Sequence, residues 1–102
     1  MLLNLVEAVD LALARALSED ERVIILGEDV GKNGGVFRAT VGLREKFGAK
    51  RVLDTPLAET LIAGVAIGMS TQGLRPVAEI QFMGFIYAAL EHLISHAARL
   101  RN

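Results

Sequence analysis

The sequence predicts an α/β fold, a partial parallel-sheet domain with helices on both faces. Three observations lead there. Short apolar runs at Val23–Leu26, Arg51–Asp54 and Val77–Gln81 alternate with longer stretches whose apolar residues recur at helical spacing. The first run is continuous and rich in β-branched residues, as expected of a strand covered on both faces. Turn residues separate each strand from the helix that follows, so the strands run parallel with right-handed crossovers.

Asn4 is placed to cap the first helix, with Glu7 three residues on to answer it. Val6, Val9, Leu13, Ala16 and Leu17 form its apolar face, and Ser18-Glu19-Asp20-Glu21 ends it. After the first strand, four glycines between Gly27 and Gly35 rule out a regular element and leave a flexible or tightly turned loop. Thr40 to Phe47 reads as a short helix stopped by Gly48. The second strand runs into Asp54-Thr55-Pro56-Leu57-Ala58-Glu59, where Pro56 prevents direct continuation into a helix. The third helix, about Glu59 to Gln72, carries Ala63, Gly64, Ala66 and Gly68. Each glycine costs about 1 kcal/mol against alanine, which is tolerable where another backbone passes close by, so this face is expected to make a tight helix contact. Pro76 suits the first residue of the third strand. The last helix, about Phe85 to Leu100, shows Ile86, Leu90, Leu93, Ile94 and Ala97 on one stripe.

Composition narrows the function. The chain has 102 residues, 52% hydrophobic and 23% charged, so one domain is expected with apolar surface to spare for a partner or for further chain. A net charge of −1, with acids and bases interspersed, argues against nucleic-acid and anionic-membrane surfaces. There is no cysteine, hence no disulfide, thiolate metal site or cysteine nucleophile. No signal peptide is visible, and the longest apolar run, Thr60 to Met69, falls short of the roughly 20 residues that span a bilayer. A cytoplasmic location is expected, or the mitochondrial matrix in a eukaryote.

Glu59 falls at the mouth of a strand-turn-helix unit, where the positive end of a helix favours a carboxylate. On local grammar alone it reads as an ordinary helix-start acid. Gly27-Glu28-Asp29-Val30-Gly31-Lys32-Asn33 lacks the spacing and hydroxyl residue of a phosphate-binding loop, and two acids stand where phosphates would lie. It sits instead at the carboxyl end of a strand, where open α/β sheets place ligands. His92 and His96 share a helix face but lack a third ligand, and a partly exposed helix edge explains them. Phe82, Phe85 and Tyr87 cluster after the third strand, and Phe82 is expected to plug the gap between strand and helix.

Asp54 to Glu59, Gly27-Glu28-Asp29-Val30-Gly31 and Gly73-Leu74-Arg75-Pro76-Val77-Ala78-Glu79 resemble, in order, the β subunit of thiamine-diphosphate-dependent 2-oxo acid dehydrogenases, the decarboxylating component. Gly34 to Thr40, Gly42-Leu43 and Phe47-Gly48 fit the same pattern. The resemblance covers nearly the whole chain and implies that residues 1–102 are the incomplete N-terminal part of a pyrimidine-binding, transketolase-like domain. It implies thiamine diphosphate held between subunits, with the diphosphate bound through Mg²⁺ by an α subunit and the aminopyrimidine by this one. Glu59 then matches the acid that hydrogen-bonds a pyrimidine nitrogen and promotes proton loss from the thiazolium carbon. That role needs a dry site, which Leu57 and Leu61 suit. Phe85 matches an aromatic that packs on the aminopyrimidine ring. Glu28 is a cofactor-binding candidate from its place near the cofactor in the family, and equally a solvated loop acid. The implied partners are the α subunit, a second β subunit and a lipoyl-bearing acyltransferase that receives the acyl group. The alternatives are a transketolase-like synthase and a non-catalytic fragment that self-associates. The isolated 102-residue chain is expected to form a homo-oligomer.

Overall fold

The computed structural model describes residues 2–100. Its elements are α1 (Leu5–Glu19), β1 (Val23–Gly27), α2 (Leu43–Phe47), β2 (Val52–Asp54), α3 (Glu59–Thr71), β3 (Arg75–Ala78) and α4 (Tyr87–His92). A 3-10 turn at Met83–Phe85 precedes α4, and a π-helical turn at Leu93–Ala97 follows it.

The three strands form one parallel sheet in the order β2-β1-β3. β1 is central and buried along its whole length, as its continuous apolar run predicts. Its alternate residues serve two layers. Val23 and Ile25 join Leu17, Val30, Leu43 and Val52 in a core against α1 and α2. Ile24 and Leu26 therefore point to the opposite face, where α3 packs. The chain steps from β1 outward to β2, then crosses back over β1 to β3. With crossovers of one hand, this reversal puts α2 and α3 on opposite faces.

The expected cap is present: Asn4 Oδ1 accepts from the Glu7 amide at 2.8 Å. The face of α1 is only partly used, with Leu17 buried, Leu13 and Ala16 half-buried, and Val6 and Val9 exposed. At the far end of the helix, Arg51 Nη2 donates to the carbonyls of Leu17, Asp20 and Val23 at 2.9, 2.7 and 3.1 Å. One guanidinium thus satisfies carbonyls that the end of a helix leaves open.

Three elements differ from expectation. α2 begins at Leu43, because Gly42 takes a left-handed φ of 78° and keeps the preceding residues in turns. β3 begins at Arg75 and stops at Ala78. The Arg75 and Glu79 amides donate to the Arg22 and Leu26 carbonyls of the neighbouring strand, so the intervening Pro76 turns its nitrogen to the open edge. Beyond Glu79 the chain has no partner, since β1 has already turned away at Gly27.

The last helix changes type along its length, from the 3-10 turn through α4 to the π-helical turn, and Thr60 of α3 is tied to it. Its Oγ1 donates to the Ala88 carbonyl at 2.6 Å, entering the hydrogen-bond ladder of α4. The buried residue is Ala89, whereas Leu90, Leu93 and Ile94 of the expected stripe are exposed. Ile86 and Leu93 instead border a cavity of about 220 Å³ with Ala63, Ala66 and Ile67 of α3. The close backbone approach expected at the α3 glycines is not found at either of them. A Cβ on Gly64 would stand 3.8 Å from His92 Nε2, while Gly68 faces open space.

Candidate active site

In a sheet ordered β2-β1-β3 the crossover direction reverses between β1 and β3, and the carboxyl ends of the strands at such a switch point are where open α/β sheets place ligands. The three sequence-predicted residues leave three adjacent strands at this edge. Glu28 follows β1, Glu59 opens α3 five residues after β2, and Phe85 ends the 3-10 turn after β3.

The loop after β1 is tightly turned. Val30 is fully buried, and its carbonyl accepts from the buried Thr40 hydroxyl at 2.7 Å. The Gly35 amide closes back onto the Asp29 carbonyl at 2.6 Å, with Asp29 itself at a left-handed φ of 59°. Asp54, the last residue of β2, reaches across and accepts from the amides of Gly31 and Lys32 at 2.7 and 3.0 Å. From the other side, Gln81 Nε2 donates to the Glu28 carbonyl at 3.1 Å. Gly27 lets this turn lie against β3, because a Cβ there would stand 2.8 Å from Val30 Cγ1 and 3.0 Å from Glu79 Cβ.

Two carboxyl groups are drawn inward at this edge. Glu28 and Glu79 are half-buried, and each has a buried Oε2 without a hydrogen-bond partner. Burial raises the Glu79 pKa above its ordinary value. A carboxyl with a raised folded pKa binds its proton more tightly in the native state. Stability is therefore full below the unfolded pKa and falls as pH rises towards the folded one. Glu79→Gln should accordingly raise the thermal midpoint at pH 7 and leave it unchanged at pH 3. An equal shift at both values would show that ionisation is not the cause.

Glu59 is the first residue of α3 and is half-buried. Ala58 caps the helix without a side-chain hydrogen bond, so the first amides of the helix keep their positive field for the carboxylate. Leu57 and Leu61, expected to keep it dry, are instead exposed, at 62% and 44%. They point outward because the turn at Pro56 and the outer side of α3 have nothing packed on them, so exclusion of water at Glu59 falls to whatever covers this edge.

Phe85 is exposed on one side and meets Phe82 edge-to-face at 5.4 Å. Phe82 in turn meets Phe37 edge-to-face at 5.3 Å. Phe82 is thus no plug but the middle of a three-ring file lying open along the edge. Its turn stands clear of the sheet because β3 ends four residues earlier. The sequence offered no reason to single out Phe37, Glu79, Asp54 or Gln81, whose contacts all join distant parts of the chain. The His92 and His96 rings lie 5.4 Å apart at a partly exposed helix edge, and the described residues contain no cluster of three possible metal ligands.

The fold is that of an α/β domain with an open parallel sheet and a switch point at its carboxyl edge, where acids and exposed aromatic rings lie. Residues 2–102 match the family described as the pyrimidine binding domain of transketolase, and the chain belongs to it. It is 50% identical over 101 residues to the pyruvate dehydrogenase E1 component subunit beta of Acholeplasma laidlawii, covering 99% of this chain and 31% of that protein. It is 52% identical over 99 residues to the 2-oxoisovalerate dehydrogenase subunit beta of Bacillus subtilis, covering 97% and 30%. It is 52% identical over 100 residues to the 3-methyl-2-oxobutanoate dehydrogenase subunit beta of Mycobacterium tuberculosis, covering 98% and 29%. The chain therefore spans less than a third of the length of these relatives.

Proposed function

We propose that this chain supplies the aminopyrimidine side of a thiamine diphosphate site in the β subunit of a 2-oxo acid dehydrogenase decarboxylating component. The observation that carries the reading is that Glu28, Glu59 and Phe85 each follow the carboxyl end of one of three adjacent strands. The names of relatives about half identical across the chain support it.

The residues present fit the group. A ring nitrogen requires a carboxyl group able to share a proton, and Glu59 stands in a helix's first turn at this edge. An exocyclic amino group requires acceptors, and the unpartnered Oε2 atoms of Glu28 and Glu79 are such atoms. A flat heterocycle requires an apolar surface, and the exposed face of Phe85 offers one. When bound, thiamine diphosphate supplies the carbon nucleophile for decarboxylation of a 2-oxo acid. Glu59 holds and returns a proton at the pyrimidine nitrogen, Phe85 orients the ring, and the turn at Glu28 closes the floor of the site.

The α subunit then holds the diphosphate through Mg²⁺, a second β subunit completes the assembly, and a lipoyl-bearing acyltransferase takes the acyl group. Pyruvate and branched-chain relatives match equally well, at 50% and 52%, so the substrate is assigned as a class, a short 2-oxo acid.

Calorimetric titration of thiamine diphosphate and Mg²⁺ into the complete β subunit assembled with its α subunit tests the reading. Saturable binding is expected, and Phe85→Ala should weaken it by about 1 kcal/mol, roughly fivefold in Kd, with the pH profile unchanged. A shifted pH profile with intact affinity would remove Phe85 from a packing role.

A further inference from the structure

The Asp54 carboxylate makes contacts that a plain strand end does not require. Its Oδ1 accepts from the Gly31 amide at 2.7 Å and its Oδ2 from the Lys32 amide at 3.0 Å, so both oxygens grip consecutive amides of the turn after β1. The Arg44 guanidinium lies 3.4 Å from Oδ2, at the outer side of the pair. Gly31 is shaped to this contact. A Cβ there would stand 3.0 to 3.1 Å from all three atoms of the carboxylate, closer than ordinary contact, so an added methyl would press the acid back from the amides. Register adds to this, since Asp54 pairs with Gly27 and the Thr55 amide donates to the Gly27 carbonyl at 3.0 Å. The strand exit leading to Glu59 is thereby bound to the strand exit bearing Glu28 at its backbone and through one side chain.

We propose that Asp54 is a positioning residue, whose carboxylate locks the turn at residues 28–35 onto the exit of β2 and so sets the place of Glu28 relative to Glu59. The proposal rests on the functional reading above. Gln81 is the second arm, holding the Glu28 carbonyl from the exit of β3. Both arms end on backbone atoms of the same turn, so the turn is the common reference for three segments that would contact the pyrimidine. Charge-assisted hydrogen bonds from amides to a carboxylate are among the stronger ones a protein makes. An asparagine cannot replace them, because its amide nitrogen would face one of the two N–H groups.

The test uses the complete β subunit assembled with its α subunit, in wild-type form and as Asp54→Asn, Gly31→Ala and Arg44→Ala. Amide hydrogen exchange and calorimetric affinity for thiamine diphosphate are measured on each. In the wild type, the amides of Gly31 and Lys32 should exchange at least about tenfold more slowly than that of Asn33, a comparison that needs no variant to fold. Asp54→Asn and Gly31→Ala should abolish that protection and weaken cofactor binding about tenfold or more, with Val23–Leu26 still protected. Arg44→Ala should match the wild type in both measurements, because it leaves the amide contacts in place. Rapid wild-type exchange at Gly31 and Lys32 would overturn the lock. Loss of protection with unchanged cofactor affinity would overturn the positioning role and leave a structural contact only. Failure of the wild-type assembly to bind thiamine diphosphate would overturn the functional reading, and the positioning role with it; the wild type alone reveals this, whatever the variants do.

Discussion

Glu59→Gln in the assembled protein is expected to slow proton exchange at the thiazolium carbon of bound thiamine diphosphate by at least about 100-fold, the lower end of general acid–base effects. Glutamine keeps the size of the side chain and can still meet the pyrimidine nitrogen with a hydrogen bond. What it cannot do is hold a proton and give it back at that atom. Cofactor affinity should therefore change far less than the exchange rate. The fold should tolerate the change, because a first-turn acid contributes only about 0.3–1 kcal/mol to its helix. Glu59 is half-buried at this position and shares no core contact that glutamine would break. An unchanged exchange rate would take Glu59 out of the mechanism.

The second large effect concerns the 102-residue chain by itself. It is expected to sediment as an oligomer or aggregate at high micromolar concentration and to bind no thiamine diphosphate measurably. β2 and β3 each leave one edge of the sheet unpaired, and β3 is exposed over most of its length. Leu61 and Val65 on α3 face solvent, as do Leu90, Leu93 and Ile94 beyond them. Apolar surface of this kind recruits further surface like it. Isolated, the site also lacks any cover for Glu59, whose leucine neighbours turn outward. Sedimentation equilibrium together with calorimetric titration would decide both halves: a monodisperse monomer defeats the first and saturable binding defeats the second.

Elements that follow from local chemistry were legible in the sequence. Asn4 caps α1, β1 is buried on both faces, and α3 begins at Glu59. Each depends on residues close together in the chain, or on a hydrophobic run whose length and branching suffice. The errors arose where a distant contact overrides the local pattern. The stripe from Ile86 to Ala97 predicts one α-helix, but the segment passes from a 3-10 turn to α4 and a π-helical turn, with Thr60 of α3 bonded to its Ala88 carbonyl. The apolar run Val77–Gln81 predicts a third strand that starts two residues later than β3 does, because pairing with β1 fixes its span and pairing has no local signature. The same holds for the candidate site. Glu59, Glu28 and Phe85 were named from ordered motifs, whereas Asp54, Gln81 and Glu79 show their part only when strand exits meet.

The Arg51 guanidinium has a bearing on how the chain comes together. It can reach the carbonyls of Leu17, Asp20 and Val23 only once β2 has docked beside β1, a contact spanning 34 residues of sequence at its widest. Such a closure carries its entropy cost in advance and gains all its bonds at once, so α1, β1 and β2 must form together. On the α1 and α2 side of the sheet the apolar core reinforces this, since its buried members run from Leu17 to Val52, whereas Ile62, Ala63 and Ala89 of α3 and α4 are buried apart from that cluster. The segments from α1 to β2 are therefore expected to form one cooperative folding unit, with the segment from β3 onward opening at lower free energy. Native-state hydrogen exchange would show the division as a step in protection between α3 and β3. Glu28 then stands on the firmer half and Phe85 on the looser one, so a ligand clasped between them would tighten the second half by drawing it onto the first.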